Sequence, residues 1–391
     1  MFDGFEEFDM ATGATTIHGR RGGQGPPVLL LHGMPQTHLM WHRVAPRLAE
    51  RHTVVATDLR GFGDSGTPPS APDHAPYSMR TLARDQLEVM HTLGFDRFAV
   101  VGHDRGARCA YRMALDHPAA VTRLAVLDIV PTGEAFDRAD MRFSLGFWLW
   151  SFLAAPEPVP ERLLAQAPEV IVDHMLDALS EVPGAFPAEV RAAYVTKLRD
   201  PATIHAICEQ YRAAATLDYQ HDQADRGRRR IACPTLVLWS QSGAVADWYD
   251  PLAVWRAWAE EVRGGPIQAG HFLPEEAPEQ TPATSPASWR SPHRGGGPAD
   301  RWTGCRGRSG RPRDPLIGGT ASMTCSAVCR VRAGQAAPRL ARTLKLSRLA
   351  RDQSSRPARP SWSSEQARAL GGRPARPRGA GPPRPASPPV Q

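Results

Sequence analysis

The sequence of 391 residues has no long hydrophobic run: no stretch reaches the roughly 18 apolar residues that a membrane helix needs. Residues 1–7 are acidic and lack the basic region and apolar core of a signal peptide. The six cysteines are scattered. Only Cys325 and Cys329 are close in the sequence, four residues apart, and no second cysteine pair or histidine cluster is there to complete a zinc site. We therefore expect a cytoplasmic protein with thiol cysteines, no metal and no membrane partner.

Lysine is nearly absent from the last part of the chain, and charge is divided unevenly along the sequence. Residues 281–391 hold 20 arginines, one lysine and 4 acidic residues, a net of +17 within a total formal charge of +7. Residues 1–280 carry the opposite sign, −10. The pI near 9.4 is therefore an average over two segments of opposite charge and does not describe the surface of a folded domain. Only the first 280 residues are expected to bury a large core.

Residues 281–391 also hold 16 of the 38 prolines and 13 of the 34 glycines. Such a segment cannot bury enough apolar surface to offset its ordering entropy, so we expect disorder. We hypothesise a frameshift close to residue 281, because GC-rich DNA read out of frame encodes Arg, Pro, Gly, Ala and Ser. The alternative is an arginine-rich tail that binds nucleic acid. It has few aromatic residues and no recognised motif, so we expect no nucleic-acid partner.

Short apolar runs alternate with helical patterns over the first 130 residues. Four runs are predicted to be strands buried on both faces: residues 28–31, 53–57, 98–101 and 124–127. A helix is predicted where apolar residues recur at helical spacing from Met79 to Leu93, with Gly94 as its stop. The alternation predicts an α/β fold with a mostly parallel sheet, helices on both faces, and a ligand site at the carboxyl ends of the strands.

The strand pattern stops near residue 130 and resumes at residues 234–239. Residues 131–230 are rich in helix formers and are predicted to form a helical cap, inserted after the strand that ends at Asp128. Residues 1–130 and 231–280 then form one core, with a helix near 251–262 and a short segment that ends at Gly270 and His271.

Gly102-His103-Asp104-Arg105-Gly106 is the most informative segment. It joins a predicted strand to a helix, which is the pattern of a nucleophile elbow with aspartate in the place of serine. The helix N-terminus stabilises an ionised carboxylate there. A carboxylate can attack a saturated carbon that bears a leaving group and form an ester, so Asp104 is predicted to be a nucleophile.

Other positions complete a hydrolytic site around this nucleophile. The amides of Met34, in the loop after strand 28–31, and Arg105 are predicted to hold an oxyanion. His271 has the chain position of the histidine that deprotonates water. Spacing leaves two candidates for the acid that orients His271: Asp128, which ends strand 124–127, and Asp247, after strand 234–239.

Arg105 and Arg108 lie three residues apart, on one face of the first helical turn beside Asp104. Two cations beside a nucleophilic carboxylate are expected where they also bind an anion, and a substrate carboxylate would accept charge-assisted hydrogen bonds from both. The alternative is that they only neutralise Asp104 or point to solvent.

With these motifs the sequence resembles the haloacetate dehalogenases of the α/β-hydrolase superfamily, including their fluoroacetate-cleaving members. The resemblance covers nearly all of residues 1–280 and none of the tail. Its segments are residues 32–37, 58–65, 102–108, 127–132, 150–153, 208–212 and 270–276. The elbow with two arginines is the specific part, whereas the motifs at 32–33 and 58–65 are shared with many relatives.

The resemblance implies a two-step hydrolysis without a cofactor. Asp104 displaces halide from the α-carbon of a small anionic organohalide, and water activated by His271 hydrolyses the ester and releases glycolate. Asp128 matches the acid of the family, which favours it over Asp247. Oligomeric state stays open, with a homodimer as one expectation because relatives of this fold are often dimers.

The resemblance also assigns Arg105 and Arg108 to the substrate carboxylate, and Trp150 and Tyr211 to a halide pocket. The third halide donor of the family is a histidine just before the tryptophan, where this sequence has Leu149. Fluoride is strongly hydrated and needs donors to replace its water. We therefore predict activity on chloroacetate or bromoacetate over fluoroacetate.

Two other functions stay open. An epoxide hydrolase uses the same aspartate elbow with two tyrosines of the cap, for which Tyr211 and Tyr194 are candidates, although the twin arginines suit an anionic substrate better. The other is a hydrolase-like protein without activity, whose last helix is lost near residue 281.

Overall fold

The computed structural model describes residues 1–281. The predictions of disorder and of an altered reading frame in the tail concern residues 282–391 and lie outside the described residues. Cys109, Cys208 and Cys233 are unpaired thiols in the described part of the chain.

Within residues 1–281, eight strands form one sheet. They are β1 (Glu6–Thr12), β2 (Thr15–Gly22), β3 (Pro27–Leu31), β4 (Thr53–Thr57), β5 (Phe98–His103), β6 (Val121–Leu127), β7 (Thr235–Ser240) and β8 (Val262–Ile267). Their order is β1-β2-β4-β3-β5-β6-β7-β8. β2 pairs antiparallel with β1 and β4, and every other pair is parallel. The fold is the predicted α/β fold with a mostly parallel sheet.

The central strands are buried on both faces, and side chains alternate between two apolar layers. Leu29, Leu31, Val55 and Val100 belong to one layer, while the intervening residues of the same strands belong to the other. Burial of both faces explains why these strands are continuous apolar runs, which is the pattern that made them predictable.

The helices of the core are α1 (Ala45–Ala49), α2 (Met79–Thr92), α3 (Arg105–Asp116), α12 (Ala244–Trp248), α13 (Pro251–Trp258) and α14 (Leu273–Glu276). The Oγ of Ser78 caps α2 by accepting the amide of Thr81, and Gly94 lies just beyond the end of the helix with a φ of +87°. None of the helices within residues 1–281 is long and apolar enough to cross a membrane.

Between β6 and β7 the chain forms helices and no strand. These are α4 (Thr132–Asp137), α5 (Met141–Gly146), α6 (Trp148–Leu153), α7 (Val159–Gln166), α8 (Pro168–Ala178), α9 (Ala188–Lys197), α10 (Pro201–Ala213) and α11 (Tyr219–Asp225), with a π-helical turn at Ala214–Asp218. We call residues 131–230 the helical insertion. Its place after the strand that leads to Asp128 agrees with the sequence prediction.

Two parts of the sheet were not predicted. β1 and β2 form an edge hairpin whose strands carry charged and half-exposed residues, so they lack the apolar run of a buried strand. The helix predicted near 251–262 is wrong in its last turn: α13 ends at Trp258, and Val262 begins β8, where it pairs with Thr235 of β7.

Candidate active site

Asp104 lies in a strained turn between β5 and α3. Its φ is +42°, a value that non-glycine residues rarely adopt, and the residue is only 8% exposed. Gly106 is required by a close approach, because an added Cβ would lie 2.3 Å from the carbonyl oxygen of Leu31. Packing of the helix against the end of β3 therefore holds the turn and fixes the carboxylate above the sheet.

Asp128 and His271 form a hydrogen-bonded pair at the same edge of the sheet. His271 Nδ1 lies 2.7 Å from Asp128 Oδ2, and Asp128 Oδ1 accepts the amide of Ser240 at 2.9 Å. Asp128 also has a positive φ, +54°. Asp247 lies on the exposed side of α12, so the structure places Asp128, and not Asp247, on the histidine.

Charges around the site favour an ionised Asp104 and a basic His271. Burial acts to raise the pKa of Asp104, but the charges of His271, Arg108 and Arg105 outweigh it and hold that pKa below its usual value. Burial acts to lower the pKa of His271, but the hydrogen bond and charge of Asp128, with Asp104, raise it. The carboxylate is therefore charged at neutral pH, as a nucleophile must be.

The loop after β3 supplies a hydrogen-bond donor to Asp104. The amide of Met34 donates to Asp104 Oδ2 at 3.2 Å. The neighbouring His32 holds this loop, since its Nδ1 lies 2.8 Å from the carbonyl oxygen of Gly33 and its Nε2 accepts the amide of Leu59 at 3.0 Å. Arg105, the second predicted oxyanion donor, begins α3.

The two arginines of the elbow are not equivalent. Arg108 lines the cavity; its Nη1 donates to the carbonyl oxygen of Val130 and to Thr132 Oγ1, each at 3.1 Å. Its Nε is buried with no acceptor among residues 1–281 and lies 4.0 Å from Asp104 Oδ1. Arg105 lies outside the cavity wall, where its Nη2 donates to the carbonyl oxygen of Gln210 at 2.8 Å.

Arg105 nevertheless keeps one free donor. Its Nη1 is buried and has no acceptor in the described part of the chain. The guanidinium lies 4.6 Å from the ring centroid of Tyr211, and that of Arg108 lies 4.4 Å from the ring centroid of Trp150. Each cation is therefore fixed against one of the two predicted halide donors.

A cavity of about 270 Å³ joins these groups. Its wall includes the three predicted members of the triad, Asp104, Asp128 and His271, together with Arg108, Leu149, Trp150 and Tyr211. The structure therefore brings most of the predicted site residues to one cavity. Leu149 occupies a position in the wall directly beside Trp150.

Sequence reasoning missed residues that support the site from behind. His103 is fully buried, donates from Nε2 to the carbonyl oxygen of His271 at 2.8 Å, and has a pKa lowered to about 3 by burial and by the charge of His271. It therefore stays neutral. Thr132 and Gln210 were also assigned no role, because their contacts with Arg108 and Arg105 join segments that are distant in the chain.

One group of side chains has the composition of a metal site. Within residues 1–281, His18, His38 and Asp58 are buried with ligand atoms within 4.8 Å of one another. However, His38 Nδ1 lies 2.9 Å from Asp58 Oδ1, and its Nε2 accepts from Arg20 Nε at 3.2 Å. A guanidinium on the group opposes cation binding, so these residues fit a structural role beside β2 and β4.

Comparison with known proteins agrees with the fold. The family model of the α/β hydrolase fold matches residues 26–278. A fluoroacetate dehalogenase of Burkholderia sp is 44% identical, over 72% of this chain and 92% of the relative. A soluble epoxide hydrolase of Corynebacterium sp. strain C12 is 32% identical, over 67% and 90%. A crystal structure of an α/β hydrolase of Nostoc sp PCC 7120 aligns with a TM-score of 0.71 and 49% identity, over 72% and 96%.

The chain therefore belongs to the α/β hydrolase fold family. Within that superfamily it is a member of the haloacetate dehalogenase type, as its identity to the Burkholderia protein over nearly the whole length of that relative shows.

Proposed function

We propose that this chain hydrolyses α-haloacetates to glycolate and halide through an ester on Asp104. The observation that carries the proposal is one cavity whose wall holds an ionised nucleophilic carboxylate, the paired His271 and Asp128, and a guanidinium with a free buried donor. A neutral substrate would leave that donor unsatisfied, whereas a substrate carboxylate would accept its hydrogen bond.

In the first step, Asp104 attacks the α-carbon and the carbon–halogen bond breaks, with the electron pair leaving on the halide. Oδ2 is held by the amide of Met34, so Oδ1, on the side of Arg108, is the oxygen that forms the new bond. Trp150 and Tyr211 would donate to the departing halide. In the second step, Oδ2 is the ester carbonyl oxygen, and the Met34 amide stabilises the negative charge that develops on it.

His271 acts only in the second step. Its Nδ1 faces Asp128, which leaves Nε2 to accept a proton from water. The hydroxide attacks the carboxyl carbon of Asp104, and the tetrahedral intermediate expels glycolate, which takes the proton back from His271. Asp128 stabilises the imidazolium during these transfers.

An epoxide hydrolase is the second candidate, favoured by the relative from Corynebacterium. The tyrosine pair suggested by the sequence is not assembled, because the hydroxyl of buried Tyr194 donates to Glu275 Oε1 at 2.9 Å. Tyr211 and Tyr249 line the cavity instead. Of these two tyrosines, Tyr211 was a predicted donor and Tyr249 was not.

A panel of matched substrates separates the two candidates. Chloroacetate is expected to give equal amounts of chloride and glycolate. Chloroacetamide has the same leaving group without the charge and is expected to react at least about tenfold less efficiently, because hydrogen bonds to charged groups contribute about 1.5–3 kcal/mol. Chloride is measured by ion chromatography. Diol formation from a neutral epoxide that exceeds chloride release would favour the second candidate.

The halogen preference depends on Leu149. Leu149→His is expected to raise fluoride release relative to chloride release by about 5- to 150-fold, because it adds a donor worth about 1–3 kcal/mol to a leaving group that needs one. The ratio of kcat/KM for fluoroacetate and chloroacetate measures the effect. Leu163→His, on the exposed side of α7, is the control. An unchanged ratio in Leu149→His would rule out this account of the halide pocket.

The cytoplasmic location and the homodimer stay predictions, as do the limits of the cap.

A further inference from the structure

A buried carboxylate that the proposed reaction does not use lies in the loop that carries His271. Glu276 is 8% exposed. Its Oε2 accepts the amide of Gly270 at 2.9 Å, and its Oε1 accepts the amide of Phe272 at 3.0 Å. The carboxylate therefore binds the residues on both sides of His271.

The same carboxylate also binds the helical insertion. Its Oε2 accepts the amides of Glu181 at 2.7 Å and Val182 at 3.1 Å, in the segment that follows α8. In addition, the amide of His271 donates to the carbonyl oxygen of Leu179 at 2.7 Å. Glu276 therefore joins the histidine loop to segment 179–182, which contributes Leu179 and Glu181 to the wall of the cavity.

The two segments are packed without spare room at this junction. A Cβ added to Gly270 would lie 2.3 Å from the carbonyl oxygen of Leu179 and 2.8 Å from Glu276 Oε1. Since a buried N–H without a partner is costly, the amides of buried Gly270 and Phe272 require an acceptor at this place, and the amides of Glu181 and Val182 share it. A carboxylate supplies two oxygen atoms that only accept, so it satisfies all four.

We propose that Glu276 is a positioning residue, whose carboxylate fixes the His271 loop against segment 179–182 and thereby holds the imidazole where it activates the hydrolytic water. This inference rests on the proposed function, because it assigns Glu276 to the second step, in which the Asp104 ester is hydrolysed. The first step needs Asp104 and the substrate-binding groups, and none of them contacts Glu276.

Electrostatics give independent support. The charged groups that act on the pKa of His271 are the carboxylates of Asp128, Asp104 and Glu276, whereas the neighbouring His103 is neutral. Burial lowers the pKa of His271, and the negative charges, including that of Glu276, raise it. Loss of the Glu276 charge therefore lowers the pKa of His271. Because the general base acts in its neutral form, the acidic limb of the kcat profile is expected to move to lower pH.

Glu276→Gln in the full chain tests the inference. The amide has one accepting oxygen and an NH₂ group that cannot accept from the backbone, so the loop loses part of its support. With chloroacetate we expect a first turnover of halide close to the wild-type rate, followed by a steady-state rate about tenfold to a hundredfold lower, since small misplacements of a reacting group cost this much. Mass spectrometry is expected to show the Asp104 ester accumulating.

Glu275→Gln is the matched control. Glu275 is buried like Glu276, but its carboxylate accepts from Tyr194 and Gln36 and not from the histidine loop. It should change stability without accumulating the ester. Folded sites in every variant are counted independently, from the native signal in circular dichroism, so poor folding is not mistaken for slow hydrolysis.

Three results would overturn the inference: equal loss of burst and steady-state rate per folded site in Glu276→Gln, wild-type kinetics with an unmoved pH profile, or the same ester in Glu275→Gln. Absence of halide release by the wild-type chain would overturn the proposed function and, with it, this inference.

Discussion

His271→Asn is expected to release about one halide per folded site and then to stop, with Asp104 left as the ester. The first step needs no base, because Asp104 is already ionised. The second step loses the group that deprotonates water, which is worth about 10²–10⁴-fold in rate. Rapid-quench halide release shows the burst, and mass spectrometry of the peptide that contains Asp104 identifies the ester.

His91→Asn is a suitable control for this variant, because the His91 side chain is 79% exposed in the last turn of α2 and does not line the cavity. It should turn over at the wild-type rate. Continued turnover by His271→Asn at a rate close to wild type would show that another group activates the water. Loss of the burst itself would show that the histidine is needed for the first step.

Asp104→Asn is expected to abolish halide release, by at least about 10³–10⁴-fold, as for other enzymes that lose their nucleophile. The amide has no negative charge with which to attack the α-carbon. Asparagine suits the turn, because it adopts positive φ more readily than most residues, so the fold should persist. Thermal melting checks the fold, and the intact mass excludes conversion of the asparagine back to aspartate.

Halide release by folded Asp104→Asn within tenfold of wild type would mean that water displaces the halide directly. That result would leave the strained elbow, with its φ of +42°, without a role in bond formation.

The centre of the sheet could be predicted because its strands are buried on both faces and therefore have continuous apolar runs. The edge hairpin β1–β2 could not, because its strands are half exposed, and β8 has two glycines in Val262–Ile267 in place of an apolar run. Edge strands depend on pairing with a neighbour more than on their own composition.

The site shows a similar limit. Asp104 and His271 were predicted from their local patterns. Spacing could not decide whether Asp128 or Asp247 is the acid that orients His271, because both follow parallel strands at the same edge of the sheet. The structure separates them, since Asp128 follows β6 directly and Asp247 lies on an exposed helix.

Contacts between distant segments had no local signal. Glu276 binds the amides of Glu181 and Val182, which are about 95 residues away in the chain. Likewise, Arg105 and Arg108 share one face of the helix, so both were predicted to bind the carboxylate of the substrate. The carbonyl oxygen of Gln210 on α10 instead holds Arg105 outside the cavity wall. Such partners come from packing of the insertion on the core, which no short motif encodes.

Formation of an ester on Asp104 is tested most directly by a single turnover of chloroacetate in water enriched in ¹⁸O, with enzyme in excess. Because water attacks the carboxyl carbon of the ester, ¹⁸O should appear in the side chain of Asp104, and the first glycolate should carry the original oxygen of the aspartate. Appearance of ¹⁸O in that first glycolate, with Asp104 unlabelled, would contradict the mechanism.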